Sequence, residues 1–572
     1  MGHDERRPAN RFTRRRLLQS GAAAGAAGAA AAMGFPGSMV RAVGLGPAGA
    51  TGTGGSAAPA VTGGNIALVN GRIHTMNATG TVARSIAIRN GRIAAVNRGA
   101  NAGGTDMTVI DLGGRTVVPG IIDNHNHIVL MGNRPGHHTP LENAYSIADV
   151  QQTFSDRAAP LDAGDWITTI GGFHTNQFAE KRLPTLAELD DAIPDHPAYI
   201  SLSFAGPSTT NSTGKAFFES QGVPVGADGA IAGGFGASPT GQATHALRQT
   251  LLTQETRRRG AVDAMAYGAG LGVTTHLDQG AFQTTNSAAD GAAHEDNYTM
   301  HLPFLDLYRA GQLGTRLRIN FLHMDADEAL PTLQERLRNA FQFFGGEDVR
   351  TGGIGEFIAQ GTGPAFAEAA KLVAAAGWRA EVHSLSRTDF QAEIAAFEAA
   401  HALTPIDELR WVVAHVPFIT EDWVDRLKAL GGGLSLTGWR YLAGSDNNDG
   451  PPFRMIVDNG IPTGMSSDGM QIAPMNPWLH MYYATTGVNA AGALINDGQQ
   501  ISRQEVLRLY TADNGWFLRE EDQLGTLEVG KHGDLVVLND DYFSVPDEGL
   551  KQLRSVLTVV GGNVVHDAGA IP

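Results

Sequence analysis

The sequence predicts an α/β protein: a (β/α)8 barrel of the TIM type, joined to a small composite β-sandwich domain built from both ends of the chain. The chain has 572 residues, which is too long for one ordinary domain unless that domain is a barrel. Strand and helix patterns alternate through its middle, as is typical of a parallel sheet. Short strands also recur near both ends, and neither group is large enough to hold a core alone.

The first 42 residues are typical of an export signal. Arg14–Arg15 precede Leu17–Leu18 and an Ala/Gly-rich apolar run, a pattern that resembles a twin-arginine signal peptide. A disordered basic tail and a membrane anchor are the alternatives, but the run is too short and too rich in glycine to span a bilayer. Residues 43–63 are a flexible linker by composition. We therefore expect an exported protein, periplasmic or extracellular, without stable membrane insertion.

Composition excludes several kinds of site and partner. The chain has no cysteine, so disulfides, thiolate metal ligands and a cysteine nucleophile are excluded. Its net charge is −16, and it becomes more negative once residues 1–42, which carry more arginines than acids, are removed. Such a chain has no basic surplus for binding nucleic acid or an anionic membrane. We expect a small-molecule substrate, and a homo-oligomer stays open.

Residues 64–118 and 521–572 are predicted to form the composite β domain. Four segments combine alternating apolar residues with turn signals, two at each end of the chain: 66–76, 86–96, 534–540 and 555–567. The first two each contain Asn-Gly, a strong hairpin signal, and the last contains a Gly561–Gly562 turn. The two ends most simply form one sheet domain, into which the middle of the chain is inserted.

Residues 119–520 are predicted to form the barrel, with a long insertion at 133–260. Helix patterns at 364–377, 389–401 and 420–431 alternate with short apolar strands. Repeated β/α units of this length favour a (β/α)8 barrel. Three of the strands end in a residue with metal-binding or proton-carrying chemistry: His383, His415 and Asp468. Barrel enzymes place their active sites at these carboxyl ends.

Two histidines close the first predicted barrel strand. The stretch PGIIDNHNH ends in His125 and His127. Side chains at i and i+2 of a strand project from the same face, so both imidazoles point towards one position, as metal ligands do. Exposed or capping histidines are the ordinary interpretation of an isolated His-x-His pair. The polar ends of the other strands favour a metal site instead.

These motifs resemble the metal-dependent amidohydrolase superfamily. The features that match are PGIIDNHNH at the first barrel strand, single histidines closing the fifth and sixth, SSD closing the eighth, and LGTLEVGKHGDLVVL near the end. The long insertion is similar to the branch that contains N-substituted formamide deformylase. The resemblance implies a divalent metal, one or two ions, with Zn²⁺ favoured over Mn²⁺ or Fe²⁺. It implies that Asp468 is the catalytic proton carrier. It also implies four metal ligands: His125, His127, His383 and His415.

One feature departs from that branch, whose members are expected to carry a carboxylated lysine on the fourth strand. None of the six lysines lies between residues 216 and 370, where strands two to four must fall. Glu356 is the only acid in the corresponding stretch, 349–361. We expect Glu356 to be a metal ligand, in a mononuclear site or an unusual pair. The alternative is a structural acid paired with an arginine.

Four other residues are candidates for lining a substrate site. His276 and His323 lie at further predicted strand ends, and Trp439 and Arg440 lie in the loop after strand seven. Each histidine could equally form hydrogen bonds within the barrel, and Arg440 could equally form a surface salt bridge.

The predicted reaction is hydrolysis of an amide-like C–N bond of a small molecule by metal-activated water. A bound divalent ion lowers the pKa of water and polarises a carbonyl, and Asp468 would carry the proton to the leaving nitrogen. The same residues would serve a deaminase, an esterase or lactonase, or a decarboxylase. An exported binding protein without catalysis is the alternative of another class. Asp468 argues against it, because a pure binding site needs no proton carrier.

Overall fold

The computed structural model describes residues 64–99, 106–203, 205–234, 236–280, 299–444 and 450–571. Outside these ranges lie the predicted signal peptide and the linker up to residue 63. Residues 445–449, in the loop that follows Trp439 and Arg440, also lie outside them. Within them, no helix combines the length and the apolar character needed to cross a bilayer.

The strands of the described residues, in chain order, are β1 (Ile66–Val69), β2 (Arg72–His74), β3 (Val82–Ala83), β4 (Ile86–Arg89), β5 (Arg92–Val96), β6 (Thr108–Asp111), β7 (Thr116–Pro119), β8 (Ile121–Asn126), β9 (His137–His138), β10 (Ile167–Ile170), β11 (Ala198–Ser201), β12 (Ser208–Thr210), β13 (Ala230–Ile231), β14 (Val273–Asp278), β15 (Arg316–Phe321), β16 (Val349–Ile354), β17 (Glu381–Ser384), β18 (Val412–His415), β19 (Gly433–Thr437), β20 (Thr463–Ser466), β21 (Leu535–Leu538), β22 (Ser555–Val560) and β23 (Asn563–Asp567).

The helices of the described residues are α1 (Ile128–Gly132), α2 (Ile147–Ala158), α3 (Leu186–Ala192), α4 (Ser212–Ser220), α5 (Pro239–Leu251), α6 (Gln254–Leu271), α7 (Leu302–Arg309), α8 (Pro331–Asn339), α9 (Pro364–Ala375), α10 (Arg387–His401), α11 (Glu421–Ala429), α12 (Arg440–Ala443), α13 (Phe453–Asn459), α14 (Pro477–Thr486), α15 (Arg503–Leu509), α16 (Gly515–Leu518) and α17 (Asp547–Leu550), with one 3₁₀ turn at Thr175–Gln177.

Strands from both ends of the chain share one sheet. Its order is β23-β22-β21-β7-β2-β3, and β21 pairs antiparallel with β7, with Val537 opposite Val117. A second sheet, β5-β4-β1-β6, contains strands from the N-terminal part alone. Apolar side chains of both sheets meet in a single buried cluster that includes Leu68, Ile88 and Leu535.

The turn signals in these sheets gave two correct predictions and one wrong one. β4 and β5 pair antiparallel on either side of Asn90–Gly91, and β22 and β23 do so on either side of Gly561–Gly562. β1 and β2 do not pair, since β1 lies between β4 and β6 whereas β2 lies between β7 and β3. The hairpin predicted for residues 66–76 is therefore wrong. Asn70, at φ 55°, turns the chain from one sheet into the other, because both strands can bury their apolar faces in the shared cluster.

The middle of the chain contains two parallel sheets of four strands each. Their orders are β8-β14-β15-β16 and β17-β18-β19-β20. No strand ladder joins the two sheets among the described residues, but backbone hydrogen bonds connect their edges. Ile354 N donates to Arg379 O (2.9 Å), and Asp468 N donates to His125 O (2.9 Å). The predicted α/β class with parallel strands is confirmed.

The insertion contains its own sheet, β13-β12-β11-β10-β9, with a separate buried cluster around Phe154 and Ile167. It contacts the segment that follows β20. Arg134 Nη2 donates to Met470 O (3.3 Å) and to Gln471 Oε1 (2.7 Å). The insertion is thereby held against the carboxyl end of β20.

Candidate metal centre

Six polar side chains from the two parallel sheets meet in one group, here termed the ligand cluster: His125, His127, Glu356, His383, His415 and Asp468. Their potential ligand atoms form three overlapping groups, and the atoms of each group lie within 4.8 Å of one another. The groups are His125–His415–Asp468, His125–His127–Glu356 and Glu356–His383–His415. Five of the residues are buried, and His383 is partly buried.

All six residues lie at, or within two residues of, the carboxyl end of a parallel strand. β8 supplies His125 and is followed by His127, β17 and β18 supply His383 and His415, and Glu356 and Asp468 follow β16 and β20. His415 (φ 73°) and Asp468 (φ 56°) have left-handed backbone conformations, which residues other than glycine rarely adopt. Such strain is typical of sites where side-chain direction serves function.

Glu356 lies at the centre of the ligand cluster. Its Oε2 is 2.9 Å from His383 Nδ1, 3.3 Å from His415 Nε2 and 3.3 Å from His125 Nε2, and its Oε1 is 3.4 Å from His127 Nε2. Burial alone would raise the pKa of this carboxyl group, but the surrounding imidazoles, His383 foremost, hold the pKa well below its usual value. Glu356 thus contacts four histidines. These contacts differ from the pairing with an arginine that a structural acid was expected to have.

Asp468 lies on the other side of the same histidines. Its Oδ1 is 3.3 Å from His127 Nε2 and 3.9 Å from His125 Nε2, and its Oδ2 is 4.0 Å from His415 Nδ1. Burial raises the pKa of Asp468, but His415 and His127 outweigh burial, so the net pKa is lowered. The side chain is therefore ionised at neutral pH and able to accept a proton.

The protonation of the histidines shows what kind of ligand fits between them. Burial lowers the pKa of His125 and His127, yet the nearby carboxylates outweigh it: the pKa of His125 is raised well above its usual value and that of His127 to about 10. Burial lowers the pKa of His415 to about 4. The carboxylates are thus balanced by protons that a divalent cation would replace. Imidazole nitrogens with carboxylate oxygens suit Zn²⁺, Mn²⁺ or Fe²⁺.

Three groups outside the ligand cluster contact the Nδ1 atoms of its histidines. His125 Nδ1 is 2.7 Å from Glu381 Oε1, His415 Nδ1 is 3.1 Å from Thr437 Oγ1, and His127 Nδ1 is 3.3 Å from Gly280 O. Sequence analysis missed Glu381 and Thr437. For Glu381 a signal existed, since it lies two residues before His383 and so on the same face of β17.

His276 and His323, the predicted lining histidines, belong to none of the three groups of potential metal ligands. His276 is fully buried, its Nδ1 is 2.8 Å from Asn126 Nδ2, and its ring lies beside Gly268 of α6. His323 Nδ1 is 2.9 Å from Thr332 Oγ1 at the start of α8. Both therefore form hydrogen bonds through Nδ1 within the protein, and their lining of a substrate site stays a prediction.

Trp439 and Arg440 lie together after β19. Arg440 is buried, with its guanidinium carbon 4.7 Å from the centre of the Trp439 ring system and 5.4 Å from that of Phe418. The two side chains therefore form a cation–π contact beside the ring of Phe418.

Most of the chain is similar to known proteins. A family described as "Amidohydrolase family" matches residues 108–566. An N-substituted formamide deformylase from Arthrobacter pascens is 31% identical over 145 residues, which are 24% of this chain and 26% of that enzyme. YtcJ of Bacillus subtilis (strain 168), which is named as an amidohydrolase, is 22% identical over 508 residues, or 81% of this chain and 92% of that protein. The first match thus spans about a quarter of the deformylase, whereas the second spans nearly all of YtcJ.

One solved structure has a related fold and a bound metal. A mutant of atrazine chlorohydrolase from Arthrobacter aurescens TC1, in complex with zinc and atraton, aligns with a TM-score of 0.53 at 18% identity. The alignment covers 88% of this chain and 95% of that one. At this identity the likeness shows a common fold.

Proposed function

Because the chain belongs to the amidohydrolase family, we propose that it is a metal-dependent hydrolase that cleaves an amide-like C–N bond of a small molecule. The observation that carries this proposal is the ligand cluster. Six side chains with metal-binding or proton-carrying chemistry come from five separate strand ends and lie within reach of one another. Such a set of buried imidazoles and carboxylates is costly unless paired or bound to a metal.

The proposed architecture joins the two parallel sheets into one (β/α)8 barrel, with the sheets of the chain ends as a separate composite β domain. The edge hydrogen bonds support closure at both seams, between β16 and β17 and between β20 and β8. The shared apolar cluster of the end sheets supports the second domain.

The proposed metal ligands are the four histidines of the ligand cluster together with Glu356. Both oxygens of Glu356 face histidines, Oε1 towards His127 and Oε2 towards His383 and His415. This position between two groups of donors fits one or two ions, with Zn²⁺ favoured because thiolates are absent and imidazoles dominate. Glu356 then occupies the place for which a carboxylated lysine was expected.

A divalent ion bound here supplies a lowered water pKa and a polarised substrate carbonyl. Asp468 accepts the proton of the attacking water and passes it to the leaving nitrogen, which departs as an amine. The carboxylate suits this task because its lowered pKa keeps it ionised at neutral pH. Trp439 and Arg440 line the substrate side of the site, since they follow the strand whose Thr437 contacts His415.

A substrate panel tests the proposal. Zinc-loaded protein is offered N-substituted formamides, other amides, esters, lactones and aminated heterocycles, with Asp468→Asn as the matched control. We expect zinc-dependent release of amine from the formamides or amides, lost in Asp468→Asn. Turnover of esters or lactones alone would contradict the C–N assignment. Zinc binding without turnover of any of these substrates would favour a binding protein.

We also propose export by the twin-arginine route, on the basis of Arg14–Arg15 and the apolar run after them. Replacing both residues (Arg14→Lys, Arg15→Lys) should leave the folded protein in the cytoplasm. Unchanged export of the double variant, measured by fractionation, would remove this proposal.

A further inference from the structure

We infer that Glu381, held by Arg379, is a positioning residue for His125: it fixes the imidazole proton on Nδ1 and thereby presents Nε2 to the metal. The inference rests on the proposed metal-dependent function, since it concerns how one ligand is prepared. It goes beyond that function because neither residue belongs to the ligand cluster.

Arg379, Glu381 and His383 lie at two-residue spacing along one edge of the second parallel sheet. Successive side chains of a strand alternate between faces, so these three share a face. His383 belongs to the ligand cluster. Glu381 instead extends to the first sheet and contacts Nδ1 of His125, the ring nitrogen that does not face Glu356. One strand thus supplies a proposed ligand and the support for another.

Both oxygens of Glu381 are used. Oε1 is 2.7 Å from His125 Nδ1, and Oε2 accepts a hydrogen bond from Arg379 Nη2 at 2.7 Å. Asn320 Nδ2 lies at 3.5 Å from the same Oε2. The Glu381 and Arg379 side chains are 0% and 1% exposed, so water does not compete for these contacts.

Stability alone does not favour this arrangement. Replacing a buried ion pair with apolar side chains is often neutral or stabilising, and the interiors of (β/α)8 barrels are dominated by Val, Ile and Leu. The contact with His125 gives the pair a role. Metal-binding histidines generally donate their second ring N–H to a carboxylate or carbonyl, which fixes the tautomer and the ring orientation. An ionised carboxylate only accepts hydrogen bonds, so Glu381 requires the proton to be on His125 Nδ1.

Glu381→Gln is an informative substitution because two donors converge on this side chain. A carboxylate accepts from His125 and Arg379 together, whereas an amide has one oxygen and one NH₂ group. If the NH₂ faces His125, Nδ1 must accept and the proton moves to Nε2, the proposed ligand atom. If the oxygen faces His125, the NH₂ meets the Arg379 guanidinium. Either arrangement weakens metal binding while the volume of the side chain is kept.

Glu393 of α10 offers a matched control. It is also 0% exposed, burial raises its pKa well above the usual value, and Ser384 is its polar neighbour. Ser384 follows His383 and so lies on the opposite face of β17. Glu393→Gln makes the same Glu-to-Gln substitution at the same depth, on a carboxyl group that burial keeps protonated, and no hydrogen bond or ion pair described here joins Glu393 to the ligand cluster.

The experiment measures zinc affinity of the full-length protein by competition with a chromophoric chelator at neutral pH. Circular dichroism and Tm of the metal-free samples are recorded alongside. We expect Glu381→Gln to bind zinc roughly 10–100-fold more weakly. Arg379→Gln should have a smaller effect, because Glu381 keeps its contact with His125 but loses the guanidinium that orients it, and Glu393→Gln should have none. The visible spectrum of the cobalt-loaded protein, which reports the ligand field, should change in Glu381→Gln and not in Glu393→Gln.

Wild-type zinc affinity in folded Glu381→Gln would overturn the inference, as would an equal loss in Glu393→Gln. If Glu381→Gln does not fold, Arg379→Gln decides: a partial loss supports the inference and unchanged affinity overturns it. A wild-type protein that binds no zinc would instead overturn the proposed function.

Discussion

The two parallel sheets contribute to the ligand cluster in different ways. In the sheet β17-β18-β19-β20, every strand end takes part: three supply His383, His415 and Asp468, and β19 supplies Thr437, whose hydroxyl contacts His415. In the sheet β8-β14-β15-β16, the cluster residues come from the two edge strands, and among the described residues the inner strand β14 adds a backbone contact, from Gly280 O just beyond its end to His127 Nδ1. The inner strands β14 and β15 carry His276 and, just beyond its end, His323, but neither joins the cluster.

A histidine near a strand end thus joins the ligand cluster only if its side chain lies on the face that carries the cluster. His276 Nδ1 is 2.8 Å from Asn126 Nδ2. Asn126 lies between His125 and His127 in the chain, so its side chain points away from the face that carries these two histidines. The pairing of β14 with β8 is irregular, with register shifts between Val273 and Thr275 and between His276 and Asp278. Such shifts change which side chains face the cluster.

The largest effect is expected from the His-x-His pair. His125→Ala or His127→Ala removes a proposed ligand that no neighbouring strand replaces, so zinc binding and activity should both be abolished. Metal analysis of the purified variants tests this directly. A variant with full zinc content would show that the i, i+2 argument misplaced the side chain.

Asp468→Asn should separate chemistry from binding. Asparagine keeps the size and one oxygen but cannot take a proton at neutral pH, so turnover should fall about 10²–10⁴-fold. The four histidines remain, so at least part of the zinc should be retained. Near-normal kcat in this variant would remove Asp468 from the mechanism.

Glu356→Gln should differ from Asp468→Asn by losing metal together with rate, because its proposed task is coordination. The side chain contacts all four histidines of the cluster, so we expect zinc content and kcat to fall in parallel. Retention of both zinc and rate would leave Glu356 a structural acid.

Zinc affinity should rise with pH. In the metal-free protein the pKa of His127 is about 10, so zinc must displace its proton at any lower pH. The affinity should therefore increase up to about tenfold per pH unit for each proton released, until the pH reaches the pKa. The sign for stability is opposite. The His127 pKa is raised above its usual 6.5, so metal-free protein loses stability as the pH rises towards 10. An affinity independent of pH would contradict the protonated cluster.

The smallest effect on metal is expected at the inner strands of the first sheet. His276→Ala removes a buried hydrogen bond to Asn126 and should lower the free energy of unfolding by about 1–3 kcal/mol, with zinc affinity unchanged. His383→Ala, at the end of β17, should weaken zinc binding. If His276→Ala lost zinc as His383→Ala does, the two sheets would not differ as described.

Patterns set by near neighbours could be predicted from the sequence. The alternation of strand and helix, the turns at Asn90–Gly91 and Gly561–Gly562, and the common direction of His125 and His127 all depend on residues a few positions apart. Five members of the ligand cluster were expected from the ends of strands and Glu356 from the resemblance to a family, and the structure brings all six together.

Choices between distant partners could not be predicted. The Asn-Gly turn after β1 indicates a change of direction but not that β1 and β2 enter different sheets. The face taken by His276 depends on an irregular register with β8. The spacing of Glu381 from His383 indicates its face of β17, but its contact with His125, at 2.7 Å, depends on β8 and β17, which are far apart in the chain.

A crystal structure of the zinc-loaded protein, with anomalous differences recorded at the zinc edge, would locate the metal. We predict one or two peaks within the ligand cluster, at about 2.0–2.1 Å from histidine nitrogens that include His125 Nε2 and His127 Nε2. The His125 Nδ1 atom should point towards Glu381. Zinc bound elsewhere, or a ligand cluster without zinc at saturating concentration, would contradict the assignment of these residues.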